Sequence, residues 1–153
     1  MVVILNIYLI VAAALSAIAA VLHIGCVIFD ASWYRFMGAG EQMARLAEQK
    51  SLEPTLITSA IALMLFIWSA YALSAAGIIR RLPLIRTAMV IITAIYLLRG
   101  IAGLFFIKTP GENSPEFWLW SSVICIIYGV FHFLGLKKSW AQLKYILNNY
   151  FVI

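Results

Sequence analysis

Four apolar blocks constrain this chain more than any motif does: Val3–Phe29, Leu56–Ile79, Thr87–Ile107 and Phe117–Leu136. Each is close to the ~20 residues a helix needs to span the hydrocarbon of a bilayer. In lipid a backbone must satisfy its own hydrogen bonds, which leaves only helices or closed barrels. The blocks are rich in Ala, Leu and Ile and lack strict alternation, so they read as helices. The residues are 65% hydrophobic and 11% charged, against roughly 45–50% and about 25% in soluble domains. A soluble domain is therefore excluded. The expectation is all-α: an integral membrane four-helix bundle of antiparallel up-down topology, one domain over residues 1–153. No Lys or Arg precedes the first block, which is also longer than the apolar region of a signal peptide. It is read as a retained span. Cys26 and Cys125 fall inside spans, where they act as small packing residues rather than as a disulfide framework.

The charges divide by loop. Asp30, Glu41, Glu48 and Glu53 lie between the first and second blocks, and Glu112 and Glu116 between the third and fourth. The middle connection carries Arg80, Arg81 and Arg86, and the tail Lys137, Lys138 and Lys144, with no acid in either. Basic residues near span ends mark the cytoplasmic side. Both termini are then expected in the cytoplasm, with every carboxylate outside. A bacterial inner membrane suits the compact size and minimal loops. Trp33, Tyr34, Trp118 and Trp120 fall at outer span ends and Trp140 and Tyr145 at the inner one, where aromatics anchor at the interface. Trp68 sits mid-span and reads as a packing residue.

Within the first outer loop, Glu41–Lys50 predicts a short helix with Ala39, Met43, Leu46 and Ala47 on one face and a Glu41–Arg45 pair on another. Such an amphipathic segment rests on the outer leaflet, caps the bundle, or closes over a pocket. Glu53-Pro54 ends that stretch before the second span. Arg80 to Arg86, with Pro83, predicts a tight turn, and Pro110-Gly111 and Pro115 suit another. After Leu136, Trp140, Leu143, Leu147 and Tyr150 recur near helical spacing beside the lysines. This predicts a C-terminal interfacial helix drawn to an anionic leaflet.

Arg99 is the most unusual residue inside a span, about 12 Å below its outer end by helical rise. An Arg at a helix centre costs ~2.5–3.5 kcal/mol to insert, so it must snorkel, pair with a carboxylate, or bind a ligand. Asp30, Glu53 and Glu116 border that half of the membrane and are available for pairing. Thr93, Tyr96, Arg99 or Gly100, and Gly103 form one stripe of the third span. Its glycines permit close approach of a neighbour. On the first span His23, Cys26 and Asp30 share a face, but three such residues on one helix make a weak metal pattern. Near the inner end of the fourth, His132 joins Ser121, Cys125 and Tyr128 in a mildly polar stripe. His23 and His132 fall in opposite leaflets and cannot be two axial ligands of one haem. There is no Cys-x-x-Cys, phosphate-binding Gly-rich loop, Gly-x-Ser-x-Gly or His-Glu-x-x-His.

The leading expectation is a non-enzymatic membrane protein with a small outward-facing site for an anion or lipid headgroup. Tyr96 and Arg99 form its floor, His23 and Asp30 one wall, and Glu53 and Glu116 the rim. One alternative is an accessory subunit of a larger complex, using Ser69, Ala72, Ala76 and the basic tail as contact surfaces. Another is a small membrane enzyme or redox subunit using His23, Cys26 and Asp30. Membrane lipids are the expected partners, with a second copy or a membrane-complex partner left open. No cofactor and no nucleic acid are expected.

Overall fold

The computed structural model describes residues 5–108, 111 and 113–150, the side chains of 144–150 excepted. Val3, Pro110, Glu112 and the side chains of Lys144, Tyr145, Leu147 and Tyr150, all used in the sequence reading, lie outside the described set. Six helices follow in order: α1 Ile7–Phe29, α2 Ala31–Phe36, α3 Glu41–Glu48, α4 Leu52–Ala75, α5 Ile85–Phe105 and α6 Pro115–Tyr150. The fold is all-helical, and α1, α4, α5 and α6 are each long and apolar enough to cross a membrane. These four form a ring in which α1 packs chiefly on α4 and α5 chiefly on α6, with α1–α6 and α4–α5 closing it. Helices α1 and α5 stand diagonally opposite.

The bundle interior mixes small and polar side chains, among them Ala12, Ala13, Ser16, Ala20, Ser69 and Ala72, with large ones such as Leu9, Trp68, Met89 and Tyr96. Its exterior is covered by Ile, Leu, Val and Phe, from Ile18 and Val21 to Leu98 and Phe133. Lipid offers no hydrophobic drive between helices, so close packing of small residues and interhelical hydrogen bonds hold them together. Ser69 Oγ donates to the Ala13 carbonyl at 2.8 Å, across the α1–α4 seam. Along α5–α6 the contact is made by glycines. A Cβ on Gly100 would lie 2.6 Å from Ile126 Cγ1 and 3.0 Å from its backbone N. One on Gly129 would lie 2.6 Å from Leu97 Cδ2. The expected surface role of Ser69, Ala72 and Ala76 is therefore corrected: all three are buried inside the chain's own bundle.

Helix boundaries differ from the sequence expectation for local reasons. Pro54 lies inside the first turn of α4 rather than before it, because Ser51 is the N-cap and first-turn N–H groups have no intrahelical acceptor to lose. The same helix stops at Ala75, short of Ile79. Gly77 takes φ 82°, its N–H reaches Ser74 O at 3.1 Å, and Ile78 N–H reaches Leu73 O at 3.0 Å. That is a Schellman stop. The tail is helical as expected, but it continues α6 without a break. Leu143 is buried in the main core, and Asn6 Nδ2 donates to Gly135 O and Ser139 Oγ, both at 2.7 Å. The tail thus packs on the start of α1 as far as Ser139 and belongs to the bundle core at least as far as Leu143.

The two ends of the bundle differ. At one end α2 and α3 fold over the helices and make a second small core of Cys26, Ala31, Tyr34, Ala44 and Ala47. Among the three placements expected for the amphipathic segment, this is the cap. Tyr34, expected at the interface, is instead buried, its hydroxyl donating to Thr58 Oγ1 at 3.1 Å. The other end carries Arg80, Arg81, Arg86, Lys137 and Lys138, with no Asp or Glu among the described residues.

Candidate functional site

The register of α5 on α6 sets the depth of every group between them. Leu97 meets Gly129, Gly100 meets Ile126, and Arg86 lies over Trp140. The Arg99 backbone is therefore level with residues near 127 of α6. Its guanidinium, however, is 5.0 Å from the Trp118 ring centroid, and Nη2 donates to Ser121 Oγ at 3.4 Å. The side chain thus reaches about one helical turn towards the capped end, to the level of Gly103. This is snorkelling, with the stem on apolar surface and the charge carried towards the interface. Because α5 ends at Phe105, the Arg99 Cα lies only about 9 Å from the helix end, less than the sequence suggested.

Gly103 makes room for that path. A Cβ there would strike Ser122 Oγ and fall 2.7 Å from Arg99 Nη1. Both atoms, the Nη1 of Arg99 and the Oγ of fully buried Ser122, are enclosed and have no hydrogen-bond partner. Two orphaned polar groups thus flank one point on the α5–α6 seam. Sequence reasoning placed Arg99 and Gly103 on one stripe but missed Ser122. The signal was its neighbour Ser121, taken into the polar stripe in its place.

The other expected members do not join this point. Tyr96 turns into the bundle centre, where its hydroxyl and Ser16 Oγ share a 2.9 Å hydrogen bond and its ring packs edge-on against Trp68 and Tyr128. His23 turns back on its own helix, Nδ1 lying 2.7 Å from Ala19 O, and α1 is the helix diagonal to α5. Asp30 has φ 61° at the end of α1 and pairs with Lys50 Nζ at 3.4 Å. Glu53 and Glu116 are exposed. Among the described residues no carboxylate lies within ion-pair distance of Arg99, so the expected internal pair with Asp30, Glu53 or Glu116 is not made.

The chain matches no known family model, no curated protein and no solved structure.

The cap's carboxylates have other partners. Arg35 grips Glu41 with two bonds, Nε to Oε2 at 3.0 Å and Nη2 to Oε1 at 2.8 Å, and reaches Glu48 Oε1 with Nη1 at 2.7 Å. The expected Glu41–Arg45 pair is present but longer, at 3.4 Å. The Arg35 bonds hold the Glu41 carboxyl down to about 2, and Arg35 is itself pushed further up by Glu41 and Glu48. This cluster ties α2 to α3.

His132 is deeper than expected. Its ring packs 5.1 Å from Tyr96, midway along α5, because α6 runs on past the point where the span was expected to end. Nδ1 lies 2.8 Å from Tyr128 O, and Nε2 is buried without a partner. Cys26 belongs to the cap core. Among the described residues no three His, Cys, Asp or Glu side chains gather as a metal ion requires.

Proposed function

We propose that this small polytopic membrane protein binds an anionic group at Arg99, on the α5–α6 seam near the capped end. One observation carries the proposal: Arg99 Nη1 and Ser122 Oγ, both buried and unpartnered, flank the same point beside Gly103. A guanidinium N–H and a hydroxyl both donate to an anionic oxygen, and charge-assisted bonds of this kind are about twice as strong as neutral ones. A cation is disfavoured by the guanidinium itself. The carboxylate of a small molecule and the phosphate of a lipid headgroup share the required chemistry.

Binding rather than catalysis is the proposed activity. Ser121 and Ser122 have no histidine or carboxylate beside them among the described residues, and a hydroxyl without a base is a poor nucleophile. The basic end then faces the cytoplasm, by the excess of Lys and Arg in its short segments. The capped end faces outward, and the short loops suit a bacterial inner membrane.

Thermal unfolding of the purified protein at constant ionic strength tests the site, with acetate, inorganic phosphate and short-chain phosphatidylglycerol as probes. At least one probe is expected to raise the midpoint of the wild type. Arg99→Leu is expected to fold and insert yet give no response. An equal response from the variant contradicts the proposal, and failure of the variant to accumulate makes Arg99 a structural residue.

A further inference from the structure

The basic end carries a second feature, independent of Arg99. A groove of about 300 Å³ runs along α6, lined by Phe133, Leu136, Lys137 and Trp140. Its walls are apolar apart from Lys137, and it opens sideways, where Phe133 is half exposed on the face that meets lipid. The Trp140 ring is covered by the Arg86 guanidinium, whose Cζ is 4.2 Å from the ring centroid. Arg86 Nε is buried and has no hydrogen-bond partner.

We infer that this groove holds one anionic phospholipid of the leaflet at the basic end, its phosphate at Lys137 and Arg86 and an acyl chain along Leu136 and Phe133. Depth supports this occupant. Trp140 is level with Arg86 in the first turn of α5, where aromatic and basic residues meet headgroups. Phe133 lies two turns earlier on α6, about 10 Å deeper into the bundle. The groove therefore runs from a cationic mouth at the interface to an apolar floor in the hydrocarbon, the same polarity order as a phospholipid. Charge supports it too: Lys137 lines the groove, Arg86 covers its Trp140 wall, Arg80, Arg81 and Lys138 belong to the same end of the bundle, and no Asp or Glu among the described residues lies there. An acidic protein segment would match the charge but not a lining that is apolar below the mouth and faces lipid.

Native mass spectrometry of the full chain, equilibrated with equal amounts of phosphatidylglycerol and phosphatidylcholine, tests the inference. The wild type is expected to retain phosphatidylglycerol preferentially. Lys137 is exposed and makes no hydrogen bond or ion pair among the described residues, so Lys137→Glu leaves the fold in place. Each basic residue near an anionic surface is worth about fivefold in binding, so that variant is expected to lose at least about fivefold of the preference. Lys108→Glu, the same change at the capped end, is expected to lose none. Should Lys137→Glu not accumulate, Lys137→Gln carries the test. Equal retention of the two lipids by the wild type overturns the inference. So does an unchanged preference in the Lys137 variant, or an equal fall with Lys108→Glu, which would mark a general charge effect. None of these outcomes bears on Arg99, whose test reads a different variant.

Discussion

The α5–α6 seam carries an arginine over a tryptophan at each end, and the two pairs are built differently. Arg86 starts at the interface and meets Trp140 straight across the seam, at 4.2 Å. Arg99 starts inside the span and must travel towards the capped end to meet Trp118, at 5.0 Å. At an interface a charged group beside an aromatic is ordinary. Within the hydrocarbon the same group is costly, and its neighbours must be arranged around it. Gly103 makes room for the path, Ser121 accepts one hydrogen bond, and Ser122 waits with an unpartnered hydroxyl. The basic side chains of the other end make no ion pair among the described residues. At the capped end four of the acidic and basic side chains are bound to one another in one cluster, yet the arginine within the span is left out of it.

The largest expected effect comes from breaking the seam that both pairs share. Gly100→Leu drives a side chain into the backbone of Ile126, which cannot yield as a flexible tip does. A loss of about 3 kcal/mol, at the upper end for overpacking, is expected in reversible unfolding in detergent micelles. Gly103→Val sharpens the comparison by acting on one pair alone. Its added Cβ meets the side chains of Ser122 and Arg99 rather than backbone, so a cost below that of Gly100→Leu, within ~1–3 kcal/mol, is expected. The anion response of the capped end is expected to vanish, while lipid retention at the basic end is unaffected. Loss of both responses would show that the two ends are not independent.

The smallest effect concerns the cap. Arg35 lowers Glu41 from its ordinary 4.5 to about 2. A lowered carboxyl stabilises the folded state fully above its unfolded value, and the contribution is lost as pH falls through the folded one. The α2–α3 ion cluster is therefore expected to keep its full contribution above about pH 4.5 and to lose it as pH falls towards about 2. Hydrogen exchange of the α3 amides against pH reads this directly. Glu41→Gln is expected to flatten that acid dependence, and an unchanged profile would show that the cluster does not hold the cap.

Much of this architecture was legible from composition and periodicity. Four apolar blocks, the short α3 and the partition of charge all follow from local sequence. The stripe Thr93, Tyr96, Gly100 and Gly103 is the buried face of α5. What was not legible depends on which helices touch and in what register. His23 was grouped with Arg99 because both lie in the outer half, but α1 stands diagonal to α5. His132 lies deeper than a helix end at Leu136 implies, because α6 runs on to Tyr150. Tyr96 was placed at the floor of a pocket, but the hydroxyl of Ser16 on α1, eighty positions away in the chain, draws it to the bundle centre. Ser122 was missed because no period marks one buried serine among several, and only the close approach at Gly103 gives it meaning.

The most direct test of the Arg99 site is density in an experimental structure of the protein in a native-lipid nanodisc, read at the point between Arg99 Nη1, Ser122 Oγ and the Gly103 Cα. The account predicts a carboxylate or phosphate oxygen within hydrogen-bond distance of both donors. A carboxylate of the chain itself bound to Arg99, or a guanidinium and a hydroxyl joined only by water, would contradict it.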